Sequence, residues 1–311
     1  MSKGKWQKIV TNIIFGPVPS RRFGMSLGVD LSPEVKQCNF DCLYCELEKG
    51  KTVSKQTQII SVKDIVEALK LSLESDKNID VITFTANGEP TLYPYLSELI
   101  DEVDKLKGDI KTLILSNGAN IYQKEIQQTL SKIDIVKLSL DCVGQKCFKK
   151  LDRVDNSIDT SKIVEGMCEF RKLHKKQLIT ETLFVKTLND SDEEIKSIYK
   201  ALKKIKPNRV DIGTIDRPPA YDVEAVSYEK LLDIANSFIG LPVTIAHRDK
   251  SITKEKYSKE EILTLLNRRP LTKDDIEYLF TNSSKKLLDS LVDEGNVTLI
   301  VNNNVIFYKK V

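Results

Sequence analysis

The run DVITFTA (Asp80 to Ala86), the turn Asn87-Gly88-Glu89-Pro90-Thr91, a helical pattern from about Pro94 to Lys107 and the run IKTLILS (Ile110 to Ser116) read as one strand–helix–strand unit. Both runs are apolar nearly throughout, as strands buried on both faces should be. Parallel strands need a crossover of a dozen or more residues between them, and the helical pattern supplies it. The alternation continues outward. Further strands are expected at Ile133 to Leu140, Leu178 to Val185, Arg209 to Ile215 and Pro242 to His247. Helices are expected at Tyr122 to Ser131, Thr160 to Lys172, Ser191 to Lys204 and Ser227 to Phe238. Upstream, Ser61 reads as the N-cap of another helix, with Asp64 three residues on. This spacing predicts an α/β fold with a parallel sheet. About six such units are too few for a closed eight-fold barrel. They suit an open, partial barrel with its active site at the C-terminal strand ends.

A break follows His247. Residues 1–247 are expected to form the barrel, 248–258 a polar linker and 259–311 a small second domain. That last stretch carries three short helical patterns, a Gly295 stop and two apolar runs around Asn302-Asn303-Asn304, a hairpin signal. Three helices and a hairpin resemble a winged helix, a variant of helix-turn-helix.

The 311 residues are 41% hydrophobic and 30% charged, an ordinary profile for a chain with a full core. Lys and Arg number 48 against 45 Asp and Glu, a net +3 that excludes binding to nucleic acid by bulk charge alone. No apolar run approaches the ~18 residues needed to cross a bilayer, and the first residues lack a secretory pattern. A cytoplasmic chain with no membrane partner is expected.

Of six cysteines, Cys38, Cys42 and Cys45 lie within one short loop, while Cys142, Cys147 and Cys168 are scattered. A chain of this size needs no disulfide staples, so the trio reads as a metal site and the scattered three as buried free thiols. Three thiolates on one loop can ligate three irons of a cubane and leave the fourth open to a small molecule. The alternative is a structural zinc, which wants four closed ligands. No fourth ligand lies nearby, because the two histidines, His174 and His247, are distant in sequence.

The spacing Cys38-Asn39-Phe40-Asp41-Cys42-Leu43-Tyr44-Cys45 resembles that of the radical SAM superfamily, and other motifs follow in order. Asn87-Gly88-Glu89-Pro90 resembles the turn that receives the methionine amino group of S-adenosylmethionine (SAM). Ser116 and Asn117 resemble the ribose-contacting strand end. Lys137, Ser139 and Asp141 alternate on one strand face and look like contacts to the methionine carboxylate and ribose. The resemblance implies a partial (β/α)6 radical SAM barrel, with a 4Fe–4S cluster on Cys38, Cys42 and Cys45 and SAM bound to the open iron. One electron, from reduced flavodoxin or ferredoxin, would cleave SAM to methionine and a 5′-deoxyadenosyl radical that abstracts hydrogen from substrate. Tyr44 would pack near the adenine or the cluster, or else anchor the loop. On this placement Gly88→Val is expected to weaken SAM binding and leave the cluster untouched.

The stretches Gly16 to Gly24, Ser26 to Asp30 and Thr214 to Ala220 resemble the branch that groups with the tRNA-wybutosine-synthesis iron–sulfur oxidoreductases. Those enzymes carry second-cluster cysteines ahead of this loop, whereas this chain has none before Cys38. Asp216 and Arg217, after a strand end, are the candidate catalytic pair; Arg21 and Arg22 are further candidates for substrate contact. Arginine suits phosphate or carboxylate by its two-pronged geometry, although an ion pair fixing the loop reads equally well. Glu181, mid-strand, needs a partner if buried, either a ribose hydroxyl or a lysine. Three readings result: an enzyme on a tRNA base, a radical SAM enzyme on a protein or small molecule, and a cluster-based redox sensor with a winged-helix reader.

Overall fold

The computed structural model describes residues 13–20, 22–74, 78–245, 254–268, 270–302 and 305–311. Strands β1 (Ile14–Ser20) and β2 (Gly24–Asp30) pair antiparallel. From β2 the sheet runs parallel and in chain order through β3 (Val81–Thr85), β4 (Lys111–Ser116), β5 (Ile135–Ser139), β6 (Gln177–Phe184), β7 (Arg209–Thr214) and β8 (Val243–Ile245). Its crossovers carry α1 (Val62–Leu73), α2 (Leu96–Asp104), α3 (Lys124–Ser131), α4 (Ile163–Leu173), α5 (Asp192–Ile205) and α6 (Tyr228–Ser237). The first and last strands stay at the edges of the sheet, so the α/β partial barrel is open. The Ser61 side chain accepts from the Asp64 N–H as expected, a cap worth about 1 kcal/mol.

The sheet has eight strands where the sequence suggested six. The two extra, IFGPVPS and GMSLGVD, carry Gly and Pro that break the apolar run. One of those glycines is required by close approach. The Phe15 ring lies across Gly28, so that an added Cβ would sit 2.1 Å from its Cζ atom.

Side chains alternate across each strand. Outward-facing Val136, Leu138, Leu178, Val210 and Ile212 join the main core beneath the helices. Inward-facing Val81, Leu113, Ile135 and Ile179 make a separate small cluster that closes the lower interior. Two residues further along β5 and β6, the inward positions are Lys137 and Glu181. The sequence places charge where only partners can make burial tolerable.

Asp134 staples the lower end. Its carboxylate accepts from the Thr112 N–H (2.9 Å) and hydroxyl (3.0 Å) and pairs with Lys176 (2.9 Å). Partial burial works to raise its pKa, but the Thr112 and Lys176 bonds outweigh that and hold it at about 2. A lowered folded pKa gives stability that is present above the unfolded value near 3.9 and lost as pH falls through about 2. Asp134→Asn should therefore destabilise by about 1 kcal/mol at pH 7, after discounting for solvent screening. Urea midpoints for the two proteins should converge as pH approaches 2; a constant gap would contradict this.

Residues 254–311 hold α7 (Lys259–Arg268), β9 (Leu271–Thr272), α8 (Lys273–Leu279), α9 (Asn282–Asp293), β10 (Val297–Asn302) and β11 (Val305–Lys310). The three strands form one antiparallel sheet in the order β10-β11-β9. A core of their own gathers Tyr257, Ile262, Leu266, Phe280, Leu288 and Phe307, and Val18 of β1 packs against it. The Tyr257 hydroxyl also donates to the Pro17 carbonyl (3.4 Å). A domain boundary between 247 and 259 is our proposal; residues 246–253, including His247 and most of the expected linker, lie outside the described residues. No described helix is long and apolar enough to cross a membrane.

Candidate active site

Cys38, Cys42 and Cys45 are free, half-buried and carried on the loop that leaves the C-terminal end of β2. Backbone bonds hold this loop from several sides. Gln37 N–H donates to the Asn87 carbonyl (2.9 Å), and Glu89 N–H to the Gln37 carbonyl (3.0 Å). Asp41 and Leu43 N–H groups donate to the Asp152 and Leu151 carbonyls, at 3.0 and 2.9 Å. Ala220 N–H donates to the Cys45 carbonyl (2.8 Å). The loops after β3, β5 and β7 thus meet on the cysteine loop.

The donor set suits an iron–sulfur cluster. Cys38 Sγ accepts from the Phe40 N–H (3.4 Å) and the Asn117 amide (3.7 Å). Burial pushes the Cys38 thiol up to about 12, with Glu89 adding to it, and raises Cys42 and Cys45 as well. Thiolates in such a place need a compensating positive charge, which bound iron supplies. Among the described residues no three Cys, His, Asp or Glu side chains converge on a point for one metal ion. His174 is buried, stacked on Phe170 at 4.9 Å, at the junction of α4 and β6.

The turn after β3 is built into this loop. Gly88 has φ +136° and bridges Gln37 in parallel; an added Cβ would lie 2.0 Å from the Gln37 carbonyl oxygen and 3.0 Å from Cys38 N. Gly88→Val therefore strikes the cysteine loop itself, contrary to the expectation that the cluster would be spared. Asn87 N–H donates to Asp30 (3.0 Å), and Pro90 opens a buried single turn, Pro90–Leu92. Glu89, 1% exposed, accepts from the Thr91 N–H and hydroxyl, the Ser116 hydroxyl (2.7 Å) and the Asn117 N–H (2.8 Å). It is a strut between the ends of β3 and β4. Glu89→Ala would orphan these donors and should cost about 2–4 kcal/mol in a denaturation midpoint, with Glu89→Gln costing less. Equal loss in both variants would argue for a charge effect instead.

On β5, Lys137 and Ser139 share the inward face, and Asp141 follows two residues beyond the strand's end. Lys137 meets Glu181 at 2.5 Å and Asp211 at 3.7 Å, while Arg22 meets the same two carboxylates at 2.8 and 3.3 Å. Of the two partners considered for Glu181, the structure shows the lysine, joined by an arginine. Burial works to raise Glu181, but Lys137 and then Arg22 hold it below the usual carboxylate range. Asp141 accepts from the Tyr44 hydroxyl (2.5 Å) and the Leu183 N–H (2.6 Å), and burial pushes it up to about 7. Tyr44 is thereby tied to β5.

Two further expectations are corrected, those for Arg22 and for Cys142 with Cys147. Arg22 sits in the β1–β2 turn at the opposite end of the strands from the cysteine loop, so its guanidinium plugs the interior from below rather than meeting substrate at the mouth. Arg21 lies outside the described residues. Arg217 pairs with Glu46 at 2.5 Å, one residue beyond Cys45, and Asp216 is exposed. Burial works against the Arg217 charge, but Glu46, Asp216 and Asp275 of α8 raise its pKa, so the C-terminal unit lies beside this loop. Cys142 and Cys147 are not free thiols: they are disulfide-bonded, with Cα atoms 5.5 Å apart, in the loop after β5.

The sequence did not single out Asp41, Asp152, Asn189 or Tyr221. Asp41 takes the Tyr221 hydroxyl (2.6 Å) and pairs with Arg153 (3.3 Å). Buried Asn189 donates to the Asp141 carbonyl (2.9 Å). Burial and the Asp141 charge push Asp152 well up. Only Asp41 carried a signal, its place inside the cysteine motif.

Residues 35–202 match the radical SAM superfamily. Among curated proteins, a "UPF0026 protein" of Helicobacter pylori is 42% identical over 95% of this chain and 97% of its own length. A second UPF0026 protein, from Methanocaldococcus jannaschii, is 30% identical over 96% of each. Among solved structures, a radical SAM methyltransferase from Sphaerobacter thermophilus superposes with a TM-score of 0.55 at 14% identity, covering 71% of this chain and 65% of that one. The [FeFe]-hydrogenase maturase HydG gives 0.54 at 10% identity over 85% and 60%. These two likenesses bear on the fold alone. A family match that takes in more than half of the chain, including the loop whose three thiols the strand ends hold together, places this protein in the radical SAM superfamily.

Proposed function

We propose that this enzyme abstracts hydrogen from a substrate admitted at the barrel mouth, in the cytoplasm, and that the substrate is a base of tRNA. The cofactors of the superfamily are a 4Fe–4S cluster and SAM, and an electron from the cluster cleaves the sulfonium bond of SAM. One observation carries the reading: three free thiols on one loop stand over the strand end where Ser139 faces inward and Asp141 follows it. Cys38, Cys42 and Cys45 would hold the cluster. The turn Asn87 to Pro90 would offer backbone to the SAM amino group; Asn117, Ser139 and Asp141 would take its carboxylate and ribose. Lys137 and Glu181, through their mutual ion pair, fix the charge beneath. Phe40 and Phe148, buried and 6.3 Å apart, keep water from the underside of the loop.

The tRNA substrate is supported by the resemblance to the wybutosine branch and by the helix and hairpin order of residues 254–311, which we read as a winged helix. The stretches behind that resemblance also serve the fold: Ala220 N–H donates to the Cys45 carbonyl, and Gly16 to Ser20 lies in β1. A second reading, a protein or small-molecule substrate, is favoured by α9, where Lys285 is already paired with Glu277. Phosphate binding wants free cations. Anaerobic protein given SAM, dithionite and bulk tRNA should produce one nucleoside, seen by mass spectrometry after digestion, that is absent without SAM. Unchanged nucleosides with ongoing SAM cleavage would remove RNA as substrate and leave the second reading.

A further inference from the structure

We infer that Asn39 and Asn117 form a pair of amide donors that hydrogen-bonds the cluster on its Cys38 side and raises its reduction potential. The inference rests on the reading of the cysteine loop as the cluster site. Asn117 follows the end of β4, and its Nδ2 group donates to Asn39 Oδ1 (2.7 Å) and to Cys38 Sγ (3.7 Å). The surrounding bonds fix which way this amide points. Its Oδ1 accepts from the Ala119 N–H (3.0 Å), and its backbone N–H is held on Glu89 (2.8 Å). A flipped amide would set two oxygens against each other at Asn39 and lose the Ala119 bond. The second lone pair of Oδ1 stays open to SAM.

Asn39 follows Cys38 directly and is fully buried, yet its Nδ2 group has no partner among the described residues. With Oδ1 taken by Asn117, that group is not free to turn over and find one. A buried amide donor needs an acceptor, and next to the first ligand the sulfur of the bound cluster supplies it. The Phe40 N–H is a further donor on Cys38 Sγ (3.4 Å). Cys42 and Cys45 have other neighbours, the Asp152 carboxyl and the Leu47 backbone. The amide donors therefore gather on one corner of the site. Reduction adds one electron, and so one negative charge, to a cluster beside the buried Glu89 carboxyl. No proton or group moves in that step. Donors aimed at sulfur favour the more negative, reduced form and so raise the potential.

The test is an EPR-monitored redox titration of the full chain with its cluster reconstituted. It is run without SAM, so that a lost contact to SAM cannot move the midpoint. Asn117→Leu and Asn39→Leu keep the side chain's size and remove its donors. Each should keep about four irons per chain. Each should lower the reduced-to-oxidised ratio at a fixed potential at least tenfold, a shift of about 59 mV for one electron. The double variant should shift by less than the two single shifts together, because each amide orients the other. Asn117→Gln retains an amide and should shift less than Asn117→Leu. Asparagine carrying heavy nitrogen in its side chain should give the parent's reduced cluster a nitrogen hyperfine coupling by pulsed EPR. A midpoint unchanged or raised in both leucine variants at full iron overturns the proposal. Absence of the coupling in the labelled parent also overturns it, and decides the matter if the variants take up no iron. A parent protein that takes up no cluster would instead sink the reading of the loop.

Discussion

Cys38→Ala, Cys42→Ala and Cys45→Ala should each emerge from anaerobic reconstitution with iron reduced from about four per chain to near zero. The three free thiols share one loop, and the fourth free cysteine among the described residues, Cys168, lies on a helix away from it. Cys168→Ala should retain full iron, because that residue lies on α4 beneath the sheet. Cys142 and Cys147 are bound to each other and should not compensate. Iron and sulfide analysis with the visible spectrum reads the result. Full iron in any of the three loop variants would mean that the cluster sits elsewhere.

Gly88→Val should also lose the cluster, whereas Ser139→Ala should keep it and lose SAM affinity. At φ +136° a β-branched residue is strained, and its Cβ would meet the Gln37 carbonyl next to Cys38. The clash is with backbone, so the loop itself must move. Ser139 faces the interior and touches none of the ligands' supporting bonds, so its loss acts on the bound ligand alone. A tenfold or greater drop in SAM affinity by calorimetry, with unchanged iron, is expected for Ser139→Ala (about 1.4 kcal/mol). Full iron in Gly88→Val would contradict the coupling between the two loops.

The parallel strands from β3 to β8 were legible because their apolar runs are nearly uninterrupted and helices of ordinary length separate them. Strands β1 and β2 were not, because Gly16, Pro17 and Gly28 break the pattern, and the Phe15 ring that requires Gly28 lies on the paired strand. The thiol loop was legible from spacing alone. What the sequence concealed was pairing. Lys137 and Glu89 read as ligand contacts from the motifs they belong to, and Glu181 from its place in an apolar run; sequence does not say which charges face one another across strands. The ion pair could have been found from alternation, since Ser139 and Glu181 are register partners and Lys137 shares their face. Arg22 could not, because its reach across the interior depends on the β1–β2 turn lying at the lower end.

Reductive cleavage of SAM tests the account's central claim most directly. Protein reconstituted with iron and sulfide under anaerobic conditions, reduced with dithionite and given SAM, should form methionine and 5′-deoxyadenosine in equal amounts by liquid chromatography. The Cys42→Ala protein should form neither. A parent protein that holds a full cluster and binds SAM, yet yields no cleavage products above that variant, would contradict the account.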